Sequence, residues 1–344
     1  MKRDFRVSVV VPVYNAEPFL RRAVEAALSQ PETGEVILVE DNSPDGSLAL
    51  CEKLRKEDRR VRLIRHADGR NHGAAMTRNL GIRSATCSYV AFADADNFYL
   101  AERFAGDGEI LSADSTIDGV YNAQGIHYYS ESARNAFRDS GLSGGEFLST
   151  SGHVPPDDFW RVMLGAHREV RVIGGLGIDA ITLRRSVFER TGYFDPSLRL
   201  MQDVHFFVRM AVTSRMAAGR LDQPVAVRGV HDQMRSTDPE LMAAYRKACW
   251  TSLRKWIAVH VSDPAIRLAF DESFFRRSAG WSSQTRQRME FIKLVARHPH
   301  LILDTYGTFD LGLLDSFGRN FLTSHAVSFK AKVLRHYSTR SSST

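Results

Sequence analysis

The chain has 344 residues, of which 43% are hydrophobic and 25% are charged, and its formal net charge is +6. This is an ordinary globular composition, long enough for one large or two unequal domains, and it excludes disordered, collagen-like and coiled-coil proteins. Three scattered cysteines without a CxxC pair argue against a disulfide framework and favour a reducing compartment. No apolar run approaches the ~20 residues of a membrane span, so we expect a soluble protein or one peripheral to a membrane.

The first hundred residues alternate between short apolar runs and segments in which apolar residues recur at helical spacing. The runs predict strands and the intervening segments predict helices, the strands at 7–13, 36–39, 61–64 and 89–93 and the helices at 17–30, 46–58 and 73–83. Strands that are apolar throughout and separated by helices are typical of a parallel sheet buried on both faces. The predicted fold class is therefore α/β.

Polar residues follow three of these strands directly. Tyr14 and Asn15 come after the first strand, residues 40–42 (Glu-Asp-Asn) after the second, and residues 94–97 (Asp-Ala-Asp-Asn) after the fourth. In an open parallel sheet the carboxyl ends of the strands lie along one edge, where ligands bind. We therefore expect these separate stretches to meet in one cleft.

The second half of the chain changes character. A helix is predicted over 204–212, directly after Gln202 and Asp203, and a helical segment is predicted from 237 onward. Residues 240–344 contain 16 Lys and Arg against 8 Asp and Glu. Solvated helix faces are the simpler interpretation of this charge, and attraction to an anionic membrane surface is the alternative.

Two common nucleotide-binding motifs are missing from the sequence. There is no GxxxxGK[ST] loop, and no GxGxxG follows the first strand. The sheet edge offers carboxylates instead, including the D-x-D pattern of Asp94 and Asp96. Because Mg²⁺ and Mn²⁺ bind oxygen ligands and commonly share them with phosphates, this pattern predicts a divalent cation that bridges a diphosphate. An acidic loop without a ligand is the alternative.

Six segments, in this order, resemble the motifs of family 2 glycosyltransferases with the GT-A fold. They are VSVVVPVYN (7–15), VILVEDNSPDGS (36–47), NHGAAMTRN (71–79), YVAFADADN (89–97), GIDAITLRRSVFERTGYFDPSLRLMQDVHFFVRMA (177–211) and PVAVRGVHDQMRS (224–236). The resemblance implies a GT-A domain over 1–236 with a mainly parallel central sheet. No family resemblance is identified for the helical C-terminal segment over 237–344.

The resemblance assigns donor-binding roles in the N-terminal half. Pro12 and Tyr14 end the first strand, and Tyr14 is expected against the nucleotide base, with a loop tyrosine that covers the core as the alternative. Asp41 is expected to contact the base, unless it caps the turn at 43–46. Arg78 is expected near the diphosphate, and a surface ion pair is the alternative.

The same resemblance places the metal on Asp96, with Asp94 nearer the ribose or the metal shell. His231 matches a histidine that completes the metal site or touches the diphosphate in some relatives, although a lone histidine is more often structural. Many relatives have a fourth acid where this chain has Asn97, which removes one negative charge. The implied cofactor is Mn²⁺ or Mg²⁺.

The expected general base is Asp203, in a motif whose usual glutamate is replaced by Gln202. Because Asp203 precedes a predicted helix, an N-cap is the alternative. Asp179 is a candidate contact for an acceptor hydroxyl.

The resemblance implies an inverting transferase that moves a sugar from a nucleotide-diphosphate donor, a UDP-sugar by expectation, to an acceptor hydroxyl. The expected partners are this donor and a glycan or lipid-linked acceptor, with no nucleic acid. The expected setting is bacterial surface polysaccharide or glycan assembly, in the cytoplasm or at the inner membrane surface. The alternative is a catalytically inactive nucleotide-sugar-binding or scaffold protein with the same fold.

Overall fold

The computed structural model describes residues 5–139, 147–232 and 239–278. The chain divides into two compact units, 1–269 and 270–344. The predicted boundary between 236 and 237 lies outside the described residues and stays a prediction. Within the described ranges, no helix is long and apolar enough to cross a membrane.

Twelve strands are found in the described residues. They are β1 (Val7–Val13), β2 (Thr33–Glu40), β3 (Val61–Arg65), β4 (Tyr89–Phe92), β5 (Phe98–Tyr99), β6 (Gly119–Tyr121), β7 (Ala123–Tyr128), β8 (Ser149–Thr150), β9 (Val172–Ile173), β10 (Ile181–Arg184), β11 (Met216–Ala218) and β12 (Pro224–Val230).

The described α-helices alternate with the strands in the N-terminal half and follow one another after β12. They are α1 (Leu20–Leu28), α2 (Ser47–Glu57), α3 (Ala74–Ser84), α4 (Ala105–Ala113), α5 (Glu131–Asp139), α6 (Phe159–Leu164), α7 (Val187–Thr191), α8 (Gln202–Thr213), α9 (Pro239–His260) and α10 (Pro264–Ser278). The part of 237–344 that is described is thus helical.

Seven strands form the central sheet in the order β11-β6-β10-β4-β1-β2-β3. The strands from β4 to β3 are parallel, and β10 runs antiparallel to both of its neighbours. A second sheet has the order β5-β12-β7, with β12 parallel to β7. The prediction of an α/β fold with a mainly parallel central sheet is confirmed.

Burial on both faces explains why β1 is apolar along its whole length. Val9 and Val11 belong to one buried cluster, on the side of α1 and α2, and Val10 belongs to the cluster on the other side. A Cβ added at Gly81 of α3 would lie 2.3 Å from a methyl carbon of Val10, so the helix packs directly on the strand.

The strand register brings the predicted site residues to one edge. The Asp41 N–H donates to the Val13 carbonyl at 2.9 Å, and the Ala93 N–H donates to the Val10 carbonyl at 3.1 Å. The loops after β1, β2 and β4 therefore begin side by side, as the sequence predicts.

Candidate active site

The Asp41 carboxylate holds the loop that leads into α3. It is buried and accepts hydrogen bonds from the Asn71 side-chain amide at 2.9 Å and from the backbone N–H groups of His72 and Gly73 at 2.7 Å each. The turn after β2 is held by Glu40 instead, whose Oε1 accepts the Ser43 N–H. The alternative in which Asp41 caps that turn is wrong, and its contact with a base stays a prediction.

Tyr14 lies at the open rim of the same edge. Its side chain is 48% exposed, so it does not cover the core. The neighbouring Asn15 donates its N–H to the Ser43 hydroxyl at 3.2 Å, which ties the loops after β1 and β2 together. Pro12 is half-buried within β1, opposite Val39. The exposed ring of Tyr14 is available for stacking, which stays a prediction.

Arg78 of α3 and Asp94 after β4 form an ion pair in which the guanidinium is buried and the carboxylate is half-buried, rather than a surface pair. The Arg78 Nη2 donates to Asp94 Oδ1 at 2.5 Å, and the Arg78 side chain is 5% exposed. Its Nε and Nη1 have no hydrogen-bond partner among the described residues. A fixed guanidinium with two unmatched donors is suited to an anionic ligand.

The charge of Asp203 reaches this pair. Burial raises the pKa of Asp94, the Arg78 charge opposes that rise, and the Asp96 and Asp203 carboxylates add to it. For Arg78, burial lowers the pKa, and Asp94 and then Asp203 outweigh burial and raise it. The structure thus brings Arg78, Asp94 and Asp203 within electrostatic range of one another.

Asp96 and His231 lie in contact. The His231 Nε2 is 3.1 Å from Asp96 Oδ2, and the imidazole stacks on Phe19 with ring centroids 4.8 Å apart. The His231 Nδ1 is buried and has no hydrogen-bond partner in the described part of the chain.

A carboxylate with an imidazole suits Mn²⁺ or Mg²⁺ when phosphate and water complete the shell. In the described ranges, no three His, Cys, Asp or Glu side chains form a group that could hold a metal. Asp96 and His231 alone would leave most of the coordination shell of such a cation to other ligands. Their role as metal ligands stays a prediction.

Asp203 lies in the first turn of α8 and does not cap it. The helix begins at Gln202, and the cap position is Met201, in a left-handed conformation with φ of 62°. The Asp203 carboxylate is half-buried and accepts the N–H of the adjacent Val204 at 2.8 Å. The N-cap alternative is therefore wrong, and the role as general base stays a prediction.

The position of Asp179 differs from the one that the sequence predicts. It is 1% exposed, and its Oδ1 accepts the Asp94 N–H at 2.6 Å. Its Oδ2 accepts the side-chain amides of Asn97 and Gln124, both at 2.6 Å. Burial and the neighbouring Asp94 charge raise the pKa of Asp179 to about 7, against these hydrogen bonds. A carboxylate so enclosed cannot reach an acceptor, so that expectation is wrong.

Asn97 turns inward rather than toward the cleft. Besides donating to Asp179, its side chain accepts the Gly229 N–H at 2.9 Å. The signal that could have been used is Gly229 itself, because a glycine inside an apolar strand often marks close approach of another backbone. A Cβ there would lie 2.2 Å from the Asp96 carbonyl oxygen.

Comparison with protein-family models gives a match over residues 8–106 to glycosyl transferase family 2. Among curated relatives, the uncharacterized glycosyltransferase EpsJ of Bacillus subtilis is 38% identical over 99 residues, which is 28% of this chain and 28% of EpsJ. Glycosyltransferase GlyG of Streptococcus pneumoniae is 35% identical over 120 residues, covering 34% of this chain and 39% of GlyG. The chain thus spans well under half the length of these relatives.

Solved structures share the fold across most of the chain. Staphylococcus aureus TarS 1-349 in complex with UDP-GlcNAc gives a TM-score of 0.58 at 15% identity, covering 84% of this chain and 79% of that one. The Pyrobaculum calidifontis mannosyltransferase PcManGT, in complex with GDP-Man and Mn²⁺, gives 0.50 at 19% identity, covering 87% and 83%. The prediction of a GT-A fold is confirmed.

Proposed function

We propose that this chain is an inverting glycosyltransferase, because residues 8–106 match the model of glycosyl transferase family 2. In this proposal a sugar moves from a nucleotide-diphosphate donor, a UDP-sugar, to an acceptor hydroxyl. The bound UDP-GlcNAc of the TarS structure supports the choice of a uridine donor. Assembly of bacterial surface glycans, from a glycan or lipid-linked acceptor, is part of the same proposal.

One observation carries the proposal. The ion pair of Arg78 and Asp94 and the contact of Asp96 with His231 lie at the carboxyl edge of the sheet, and the charge of Asp203 helps to raise the pKa of Asp94 there. Such an edge is where open α/β sheets bind ligands. A cation for the diphosphate, a guanidinium for its charge and a carboxylate for the acceptor proton are the groups that sugar transfer needs.

In the proposed mechanism, Asp203 accepts the proton of the acceptor hydroxyl as that oxygen attacks the anomeric carbon from the face opposite the diphosphate. A general base of this kind contributes roughly 10²–10⁴-fold to the rate. The Arg78 guanidinium is held by Asp94 and presents positive charge toward the leaving diphosphate. When bound by Asp96 and His231, Mn²⁺ or Mg²⁺ supplies further neutralisation of that charge.

The scaffold alternative rests on Gln202 and Asn97, which stand where relatives have acids. Asn97 has a specific hydrogen-bond partner on each side, so its amide does not indicate a loss of catalytic activity. Gln202 is buried beside Asp203, which is retained. The enzyme is therefore the better-supported function.

Donor binding is tested by thermal unfolding with UDP, with and without Mn²⁺. UDP with Mn²⁺ should raise the melting temperature more than UDP with EDTA, because the cation should tighten UDP binding and a tighter ligand stabilises the folded state more. A ligand at 100 times its Kd adds about 2.7 kcal/mol to the free energy of unfolding. Asp96→Ala should abolish the metal-dependent increment.

The matched control is Asp222→Ala. Asp222 is exposed and precedes β12, whereas His231 follows that strand, so the two lie at opposite ends of it. The control should keep the full increment. Equal stabilisation of the wild type by UDP with and without Mn²⁺ would contradict the proposed function.

A further inference from the structure

We propose that Asn97 and Asp179 are positioning residues that set the geometry of the Asp96–His231 pair, and that an amide at 97 is required because a carboxylate occupies 179. The inference rests on the proposed function, since it concerns the residues proposed to bind the cation. We call the hydrogen-bonded chain Asp179–Asn97–Gly229 the clamp.

The clamp holds Asp96 from both sides along the chain. The preceding Asp94 gives its N–H to Asp179, and the following Asn97 gives its side-chain amide to the same carboxylate. The Asn97 N–H also donates to the Asp94 carbonyl at 2.9 Å, which closes the turn around Asp96. The turn that carries Asp96 is therefore held on both sides by the Asp179 carboxylate, which has almost no contact with solvent.

The same clamp holds His231. Asn97 accepts the Gly229 N–H, and Gly229 lies two residues before His231 at the end of β12. A Cβ at 229 would meet both the Asp96 carbonyl oxygen and the Tyr129 ring, at 2.2 and 2.8 Å. Both members of the proposed metal pair are thus set by one buried side chain, Asn97.

The donors and acceptors of the clamp match in one way only. When ionised, the Asp179 carboxylate offers acceptors alone, and Asn97 must donate to it while accepting from Gly229. A carboxylate at 97 would face the carboxylate of Asp179, which is costly in a buried setting. An amide at 179 would present an NH₂ group to an N–H donor whichever way it turned.

Exchanging the two residues restores the match. With Asn97→Asp and Asp179→Asn together, residue 179 donates to residue 97, which accepts from Gly229 with its other oxygen. Gln124 meets the new amide by turning its own side chain over. The double variant thus tests the hydrogen-bonded pairing itself, independently of which residue occupies either position.

The experiment measures Mn²⁺ affinity at saturating UDP, by electron paramagnetic resonance at pH 8, for the wild type, Asn97→Asp, Asp179→Asn and the double exchange. Each single variant should weaken Mn²⁺ binding by on the order of 10- to 100-fold, as for residues that orient metal ligands. In the double exchange, Mn²⁺ affinity should return to within about threefold of the wild-type value. The KM for the donor should return toward its wild-type value as well.

Glu35→Gln is the matched control. Glu35 is a buried carboxylate whose hydrogen bonds with Ser8 and Thr86 lie at the amino ends of the strands. Its replacement should lower stability and leave Mn²⁺ affinity unchanged. A purely structural role of the clamp would instead make the loss of Mn²⁺ affinity parallel the loss of stability across all variants, the control included.

The outcomes separate the two proposals. Tighter Mn²⁺ binding by Asn97→Asp would make residue 97 a ligand and overturn the clamp, as would a double exchange no better than the single variants. If the wild type shows no Mn²⁺-dependent UDP binding, the proposed function fails. The clamp is then decided by urea unfolding of the same four proteins, where additive changes would overturn the pairing of 97 with 179.

Discussion

Two buried carboxylates show how much the partners of a side chain matter. Burial alone would raise the pKa of Glu35, but hydrogen bonds from Ser8 and Thr86, together with Arg62, outweigh burial and lower it to about 2. Asp179 is more deeply buried, and burial together with the neighbouring Asp94 charge raises its pKa to about 7 against the hydrogen bonds from its amide donors. The first carboxylate stabilises the fold and the second organises the site.

Glu35 gives a prediction of pH dependence. Because its folded pKa lies below the ordinary value of 4.5, its contribution to the free energy of unfolding is present above pH 4.5 and is lost as pH falls toward 2. Glu35→Gln should cost at most about 3 kcal/mol at pH 7. Urea unfolding should show this difference shrinking at pH 3, and an equal difference at both pH values would contradict the assignment.

Among the secondary-structure elements, strand β12 aligns the two residues of the proposed metal pair, Asp96 and His231. The strand pairs with β5 on one side and β7 on the other, and its end runs directly over the Asp96 carbonyl. The position that allows this approach is Gly229. A side chain there would move the strand end, and His231 with it.

Gly229→Ala should therefore remove most of the Mn²⁺-dependent increment in UDP stabilisation and destabilise the protein by about 1–3 kcal/mol. Gly106→Ala is the paired control, because Gly106 is exposed in α4 with no atom near an added Cβ. It should stabilise the protein by about 0.5–1 kcal/mol and keep the increment. Calorimetry with and without UDP and Mn²⁺ measures both, and a full increment in Gly229→Ala would argue against the close approach.

The sequence predicts the long elements well and the short ones poorly, for physical reasons. Strands such as β1 and β2 are buried on both faces, so apolar character runs along their whole length. The two-residue strands β5, β8 and β9 are too short to carry a periodic pattern. They are defined by their partners, which lie far away along the chain.

The candidate site divides in the same way. Asp94, Asp96 and Arg78 could be marked as candidates because they lie in motifs beside predicted elements, and their roles stay predictions. The role of Asp179 could not, because its bond to Asn97 joins residues 82 positions apart. No local pattern marks a buried carboxylate whose partners come from other strands.

In the molecule as a whole, the proposed donor and acceptor groups come from separate parts of unit 1–269. Arg78 and Asp96 belong to the region that matches family 2, whereas Asp203 lies on α8, almost a hundred residues beyond it. The basic segment 240–344 is described only as far as α10, and its attraction to an anionic membrane stays a prediction. The proposed sugar transfer requires these two groups to act on one pair of substrates.

The most direct test is sugar transfer by Asp203→Asn compared with the wild type, using UDP-sugars, Mn²⁺ and bacterial glycan acceptors. The variant keeps the size of the side chain and loses the basic carboxylate, so transfer should fall by 10²-fold or more, the lower range for a general base. The melting temperature and Mn²⁺-dependent UDP binding should stay unchanged, because Arg78 and Asp96 are intact. Near-wild-type turnover by Asp203→Asn would contradict the account, and so would a wild type that binds UDP but transfers no sugar.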